Sequence, residues 1–314
     1  MLWRVLVSAP YFIPVIEEYQ QKLAEQDVEL VPAQVKERLS EAELLEVIGD
    51  MDGIICGDDR ITKQVLDAAP RLRVISKWGT GIDSIDAEEA RRRGIPVYRT
   101  PNAFSEPVAD TVLGYMLTFA RKLPLMDQDI RNGRWEKPPL VSLSECTLGV
   151  IGVGDCGKAV VRRAIAFGMR VLGNDIVEMP KDFISETQIE MVGLEKLLAE
   201  ADFISLNPDL NPTSYHLIGK PQLERMKSSS YLINASRGPV VDEPALSDAL
   251  QNGQIAGAAL DVFEEEPLPA QSPLRKLPNC LLAPHNANSS PGAWQRVHEN
   301  TVRNLLEGLH AAGE

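Results

Sequence analysis

Short apolar runs alternate with segments of helical periodicity along nearly the whole chain. Leu2–Val7, Val28–Val31, Gly53–Cys56, Val74–Ser76 and Ile95–Tyr98 read as strands. Helical stretches near Pro14–Ala24, Ser40–Ile48, Thr62–Ala68 and Asp86–Arg93 separate them. Such alternation predicts right-handed βαβ units and a parallel sheet covered on both faces. Past this point the pattern changes. Phe104–Arg121 is one long amphipathic segment, with Val108, Val112, Tyr115, Met116 and Phe119 at helical spacing, a stripe suited to a core or a subunit contact. A polar, Pro-containing stretch, Asp127–Ser144, follows with no regular element assigned to it. A second βαβ series begins at Leu148. Its strands are Leu148–Ile151, Arg170–Gly173, Phe203–Leu206, Tyr231–Asn234, Gly257–Leu260 and Cys280–Ala283. Pro291–Glu314 reads as a terminal helix. No solenoid repeat or low-complexity tract interrupts the series.

Two such series fit the length, since 314 residues suit two domains better than one. Hydrophobic residues at 44% allow a sizeable core. Charge narrows the partners. Lys and Arg number 32 against 45 Asp and Glu, a net charge of −13, so no basic excess exists to neutralise nucleic-acid or membrane phosphates. The four cysteines, Cys56, Cys146, Cys156 and Cys280, have no Cys-x-x-Cys spacing and suggest neither a disulfide framework nor a metal site. The apolar start, Met1–Val7, runs into Tyr11, Pro14 and Glu17, which fits a strand and turn rather than a secretory leader. With no long apolar run either, a cytoplasmic location is expected.

The sharpest local signal is Gly152-Val153-Gly154-Asp155-Cys156-Gly157, directly after a strand and opening a helix over Lys158–Phe167. Gly152 permits the tight turn, Gly154 lets a pyrophosphate approach the backbone, and Gly157 lets helix and strand pack closely. The helix N-terminus adds free N–H groups and partial positive charge. Asp175, 18 residues after Gly157, ends the next strand, where a carboxylate accepts bonds from ribose hydroxyls. The competing reading is a glycine-rich turn with an unrelated acid downstream. Asp175 would also repel the 2′-phosphate of NADP. The residues after it, Ile176, Val177 and Glu178, bring no cation before Lys181, so NAD is expected over NADP.

A dinucleotide fold does not specify the chemistry. Three later segments do. Asn234-Ala235-Ser236-Arg237-Gly238, Asp261 through Pro267 and Ala283-Pro284-His285-Asn286-Ala287 each follow a strand, at the carboxyl edge where open α/β sheets place ligands. One Arg, a run of Glu264, Glu265 and Glu266, and one His therefore converge on one edge.

With these motifs in hand, the chain resembles the D-isomer-specific 2-hydroxyacid dehydrogenase family over nearly its whole length. That family includes D-lactate, glycerate and phosphoglycerate dehydrogenases and glyoxylate/hydroxypyruvate reductases. Lys77-Trp78-Gly79-Thr80-Gly81-Ile82-Asp83 resembles its substrate loop, and Val108-Ala109-Asp110-Thr111 the start of its interdomain helix. The resemblance implies that Arg237 grips the substrate carboxylate with a two-pronged guanidinium that Lys cannot imitate. It implies that His285 is the acid–base group, an imidazole with an ordinary pKa near ~6.5, and that Glu266, just before Pro267, holds it. Backbone N–H groups around Gly79 would take the other side of the carboxylate, making Lys77, Trp78, Gly79 and Thr80 substrate-binding. It further implies cofactor contacts from Asp155, Cys156, Asn207, Pro208, Thr213, Thr111, Ala235, Ser236, Asp261 and Ala287. His216, His298 and His310 are assigned to the surface or to packing.

The same resemblance implies two Rossmann-like or flavodoxin-like lobes with parallel sheets, the cofactor lobe inserted into the substrate lobe. The expected boundaries are 1–100 plus 287–314 for the substrate lobe and 101–286 for the cofactor lobe, with hinge crossings near Thr100 and Ala287 and the substrate in the cleft. A homodimer through the cofactor lobe and long helix is expected. The expected activity is hydride exchange between NAD and a small D-2-hydroxy acid, with hydroxypyruvate, glyoxylate or 3-phosphoglycerate as substrate. One departure bears on that choice. Phosphoglycerate enzymes often carry an Arg in the loop occupied here by Cys56-Gly57-Asp58-Asp59; two aspartates would repel a phosphate, with Arg60 and Lys77 compensating in part. The alternatives are a relative oxidising another anion such as phosphite, or a nicotinamide-sensing corepressor-like protein. Formate dehydrogenases carry Gln where Glu266 stands.

Overall fold

The computed structural model describes residues 2–311. Met1 and the last three residues, where the first expected lobe begins and the expected terminal helix ends, lie outside the described residues. The chain divides into two units. One runs to Phe104 and resumes at Ser290; the other is Ser105–Ser289. The first division falls after the expected residue 100 because Ala103 is buried in the first unit's core and Phe104 packs on Trp78. The second falls after residue 286 because the backbone of Asn286 and Ala287 is bonded to Asp261.

The first unit is built on β1 (Trp3–Val7), β2 (Val28–Pro32), β3 (Gly53–Cys56), β4 (Val74–Lys77) and β5 (Val97–Tyr98), in the order β2-β1-β3-β4-β5. All pairings are parallel, the doubly wound flavodoxin-like arrangement. Alternate side chains enter opposite faces, as the pleat requires. Leu6, Ile54 and Ile75 join one apolar cluster; Val5, Val7, Ile55 and Val74 join another, with Val297, Leu305 and Leu309 of the terminal helix Pro291–Ala311. Helix starts follow their caps: Ser40, Thr62 and Asp86 each accept a backbone N–H at the start of the following helix.

The second unit holds β6 (Thr147–Ile151), β7 (Arg170–Asn174), β8 (Glu190–Met191), β9 (Phe203–Leu206), β10 (Tyr231–Asn234), β11 (Gly257–Leu260) and β12 (Cys280–Leu282). Their order is β12-β11-β10-β9-β6-β7-β8, all parallel. This is the dinucleotide-binding order with one strand added, and the chain reverses direction across the sheet between β6 and β9. The helix Ser105–Arg121 buries Val112 and Met116 in this unit's core, with Tyr115 and Phe119 packed against it.

Two elements were not expected at all. The stretch left unassigned, from Asp127, begins inside a helix, Leu123–Arg131. Its Pro124 sits in the first turn, where no N–H is needed, and Asp127 pairs with Arg131 one turn on at 2.7 Å. The strand β8 is unanticipated because two residues carry no periodicity.

Candidate active site

At the end of β6 the backbone of Gly152 turns with φ of +82°, and a Cβ there would stand 2.6 Å from the Pro208 nitrogen. A Cβ on Gly157 would lie 2.0 Å from the Gly152 oxygen, so strand and helix meet only through glycine. Gly154 faces open space. The helix begins at Asp155, three residues before the expected Lys158, with Gly154 as its cap and the first turn closed by Lys158 N–H to Gly154 O at 2.8 Å. Asp155, Cys156 and Gly157 therefore lie in the turn whose N–H groups have no helical acceptor. The Asp155 side chain is exposed, which limits its repulsion of a bound anion. Cys156 Sγ rests 3.7 Å from Ser105 Oγ, and burial pushes its thiol pKa up, away from reactivity.

Asp175 follows β7. One carboxylate oxygen accepts Val153 N–H at 2.6 Å and the other Val177 N–H at 2.8 Å. The group is thus aimed by the glycine turn, and a carboxylate keeps further lone pairs for hydroxyl donors. Beside it Ile176 and Val177 are 84% and 63% exposed. An open glycine turn, a helix start with no side-chain cap and an oriented acid fit the pyrophosphate and ribose of a dinucleotide.

The side chains expected to be catalytic lie in the loops that follow β10, β11 and β12, which are neighbours in the sheet. Buried Asn234 builds the first loop: its Nδ2 donates to Arg237 O at 2.9 Å, and its Oδ1 accepts from Ser236 N and Oγ at 3.1 and 2.9 Å. Half-buried Arg237 donates from Nη1 to Ser236 O at 2.9 Å. Gly238 touches the next loop: a Cβ there would sit 1.9 Å from the carbonyl of Phe263. In that loop Glu266 accepts Phe263 N–H at 3.0 Å through one oxygen and meets His285 Nδ1 at 2.9 Å through the other. Of the three consecutive acids, Glu264 instead meets His216 Nε2 at 2.8 Å and accepts Glu243 N–H at 3.1 Å, and Glu265 is exposed. His285 takes a left-handed φ of 50°. Asp261, 1% exposed, accepts Asn286 N–H at 3.0 Å and Ala287 N–H at 2.8 Å, while its carbonyl accepts His285 N–H at 2.7 Å. The loop that presents His285 is therefore clamped on three consecutive backbone groups.

Other expected contacts are more dispersed. The Thr111 hydroxyl donates to Pro107 O of its own helix at 3.0 Å. Asn207 pairs with Ser205, and exposed Thr213 is turned onto Asn211. Ala235 is half-buried and Ala287 buried. Tyr115 lies near Asp261, and burial together with that carboxylate pushes its phenol pKa up. In the first unit, Lys77 ends β4 with its ammonium 2.8 Å from Asp58 Oδ1. Trp78 is buried, stacked on Tyr11, and donates to His298 Nδ1 at 3.0 Å. Indole is only a donor, so His298 accepts and carries its proton on Nε2; its pKa is lowered by burial. Gly79 turns with φ of +123°, and Thr80 Oγ1 donates to Thr100 O at 2.8 Å.

Reading the sequence missed the clamping roles of Asn234, Asp261 and Gly238. Asn two residues before Ser, a turn-forming spacing, and Gly directly after Arg were the available signals.

Residues 113–287 match the family described as D-isomer specific 2-hydroxyacid dehydrogenase, NAD binding domain. A glyoxylate reductase of Korarchaeum cryptofilum is 43% identical over 84% of this chain and 81% of its own. A D-lactate dehydrogenase from Aquifex aeolicus, solved with NAD and lactic acid, superposes with a TM-score of 0.86 at 27% identity, covering 98% of each chain. An NADPH-dependent glyoxylate/hydroxypyruvate reductase from Sinorhizobium meliloti, solved with NADP and malonate, gives 0.85 at 31% identity over 100% of this chain and 95% of its own.

Proposed function

Because this chain belongs to the D-isomer specific 2-hydroxyacid dehydrogenase family, we propose that it exchanges hydride between NAD and small D-2-hydroxy acids, with glyoxylate and hydroxypyruvate as its keto substrates. The observation that carries this reading is the 2.9 Å contact of Glu266 with His285 Nδ1, one strand from Arg237.

The bound nicotinamide supplies or accepts the hydride. The chain's own residues do the rest. Arg237 binds the substrate carboxylate through its planar fork. Glu266 engages Nδ1 of His285 and so turns Nε2 toward the substrate oxygen. During reduction Nε2 gives its proton to the keto oxygen, yielding the hydroxyl; during oxidation it takes the proton back. Asp261 keeps the ring's loop in place and, with Thr111, Ala235, Ser236 and Ala287, borders the nicotinamide end. Gly152, Gly154, Asp155, Cys156 and Gly157 hold the pyrophosphate, and Asn207, Pro208 and Thr213 flank it.

The preference for NAD over NADP is supported by Asp175 and by the exposed apolar Ile176 and Val177, which offer a 2′-phosphate no cation. A homodimer is supported by Leu123, Leu125, Ile130, Trp135 and Val141, which are 45–78% exposed along one stretch of chain. Light scattering should report twice the chain mass; a monomer at micromolar concentration overturns the dimer.

The decisive experiment follows NADH absorbance with a panel of 2-keto acids, repeated with NADPH. Rapid oxidation of NADH by glyoxylate or hydroxypyruvate is expected. NADH that is bound but never oxidised by any keto acid would identify a sensor and sink the assignment.

A further inference from the structure

Two loops of the second unit carry the proposed acid, base and cation, one around Arg237 and one over Phe263–Glu266, and a third segment touches both. It holds His216, on left-handed backbone with φ of 50°. The main-chain N–H of His216 donates to Pro239 O at 2.8 Å, two residues past Arg237. Ile218 N–H donates to Val240 O at 3.1 Å, and Ile218 O accepts Asp242 N–H at 3.0 Å, so the segment is joined to the Arg237 side. The imidazole reaches the other loop: its Nε2 meets Glu264 Oε1 at 2.8 Å, with Tyr215 stacked on the ring at 4.1 Å. An ionised carboxylate only accepts, so Nε2 carries the proton. The same Glu264 oxygen accepts Glu243 N–H at 3.1 Å, and Glu264 N–H donates to Glu243 Oε2 at 3.2 Å. Glu264 is therefore held by side chain and main chain, two residues before Glu266. Glu266 takes its bearing from this loop, because one of its oxygens accepts Phe263 N–H while the other meets His285.

We propose that His216 is a positioning residue: through Glu264 it sets the course of the Phe263–Glu266 loop against the Arg237 loop, and so the aim of Glu266 on His285. The proposal rests on the function proposed above and adds a residue to it. Two features argue that the pair acts on geometry rather than on stability. Both partners are 32% exposed, where an ion pair adds little to folding. The loop also makes two carboxylate–imidazole contacts, at 2.8 and 2.9 Å, each to a histidine with φ of 50°. A non-glycine residue keeps such backbone only where its surroundings demand it. Packing sets the spacing of the two loops, since Gly238 leaves no room for a Cβ against Phe263. Apolar packing has no preferred direction, whereas a hydrogen bond does, and the His216 bond supplies it.

The test uses the full-length protein with NADH and glyoxylate or hydroxypyruvate. His216→Asn keeps a residue at ease in left-handed backbone, with a side chain too short to reach Glu264. Its kcat should fall about tenfold, while NADH affinity, read by fluorescence, is unchanged and the melting temperature stays within about 3 °C of the parent. His216→Gln returns a donor near the Nε2 position and should restore kcat to within about twofold of the parent. Glu264→Ala should slow turnover too, and adding His216→Asn to it should slow turnover no further. If the parent reduces a 2-keto acid but kcat is unmoved in His216→Asn, the positioning role is overturned while the proposed function stands. It is equally overturned if the loss comes with lost NADH binding or a collapsed melting temperature, if Gln does not mend it, or if the double variant is slower by both factors multiplied. If the parent protein reduces no 2-keto acid, the function fails first and this proposal with it.

Discussion

The two sheets hold their carboxyl edges by different means. In the second unit the edge is clamped by short polar side chains onto nearby backbone: Asn234 onto Ser236 and Arg237, Glu266 onto Phe263, Asp261 onto Asn286 and Ala287. In the first unit, aromatic packing does much of the holding. Trp78 is stacked on Tyr11, tilted against Phe104 and bonded to His298, a residue of the terminal helix 220 positions away. The polar clamp restricts the orientation of these loops, the kind of positioning that the proposed proton transfer needs. The aromatic packing fixes where the loop around Trp78 sits. The lesson is that short polar side chains set the course of the loops in one unit, whereas aromatic bulk sets the place of a loop in the other.

That contrast can be broken at four places. His285→Ala removes the proposed proton carrier and should lower kcat by about 10²–10⁴-fold, with NADH binding retained in a fluorescence titration. Loss of NADH binding as well would mean that the residue serves the fold instead. Next, Gly238→Ala forces a methyl into the Phe263 carbonyl, which the two loops accommodate only by moving apart. It should destabilise the protein by about 1–3 kcal/mol in denaturant titration and lower turnover with it. A variant as stable and active as the parent would show that the two loops are not coupled. Third, Asp175→Ala deletes charge-assisted acceptors of about 1.5–3 kcal/mol, so the KM for NADH should rise about tenfold or more and the margin over NADPH should shrink. An unchanged cofactor ratio would remove Asp175 from the cofactor's recognition.

The smallest effect belongs to the aromatic edge. Burial lowers the pKa of His298, while the Glu18 and Glu299 carboxylates oppose the shift and Tyr19 and Phe12 pack around the ring. A histidine with a lowered folded pKa is protonated first in the unfolded chain, so its contribution to stability is present above the ordinary imidazole value of ~6.5 and falls as pH drops below it. Stability should therefore decline from pH 7 toward 5, and His298→Gln should decline less steeply. Parallel curves for the two proteins would show that the Trp78–His298 bond is not the acid-sensitive contact.

Much of this molecule is readable along the chain because its signals are local. The bounds of Gly53–Cys56, Phe203–Leu206, Tyr231–Asn234 and Gly257–Leu260 agree between pattern and structure, since a strand buried on both faces is a short, uninterrupted apolar run. The glycine turn is equally local. The helix Leu123–Arg131 escaped notice because its Leu123, Leu125 and Ile130 face outward, so no apolar stripe points to a core of this chain. The likeness to a family supplied roles for Arg237, Glu266 and His285, but no spacing along the chain separates Glu266 from Glu264. The structure does, by which acid meets which histidine.

Taken alone, then, the order of residues determined two parallel α/β units, a nucleotide-binding turn and the strands whose ends carry Arg, Glu and His. These follow from hydrophobic period and from the backbone freedom of glycine, both properties of neighbours in the chain. Tertiary structure decided what depends on distance across the fold: that Asp59 is bonded to Ser8 and Asp58 to Lys77, that Asp261 holds the histidine loop, and that His298 is an acceptor for Trp78. Hydrogen bonds and ion pairs act over about 3 Å. Sequence separation cannot encode that length once the chain has crossed a sheet and returned.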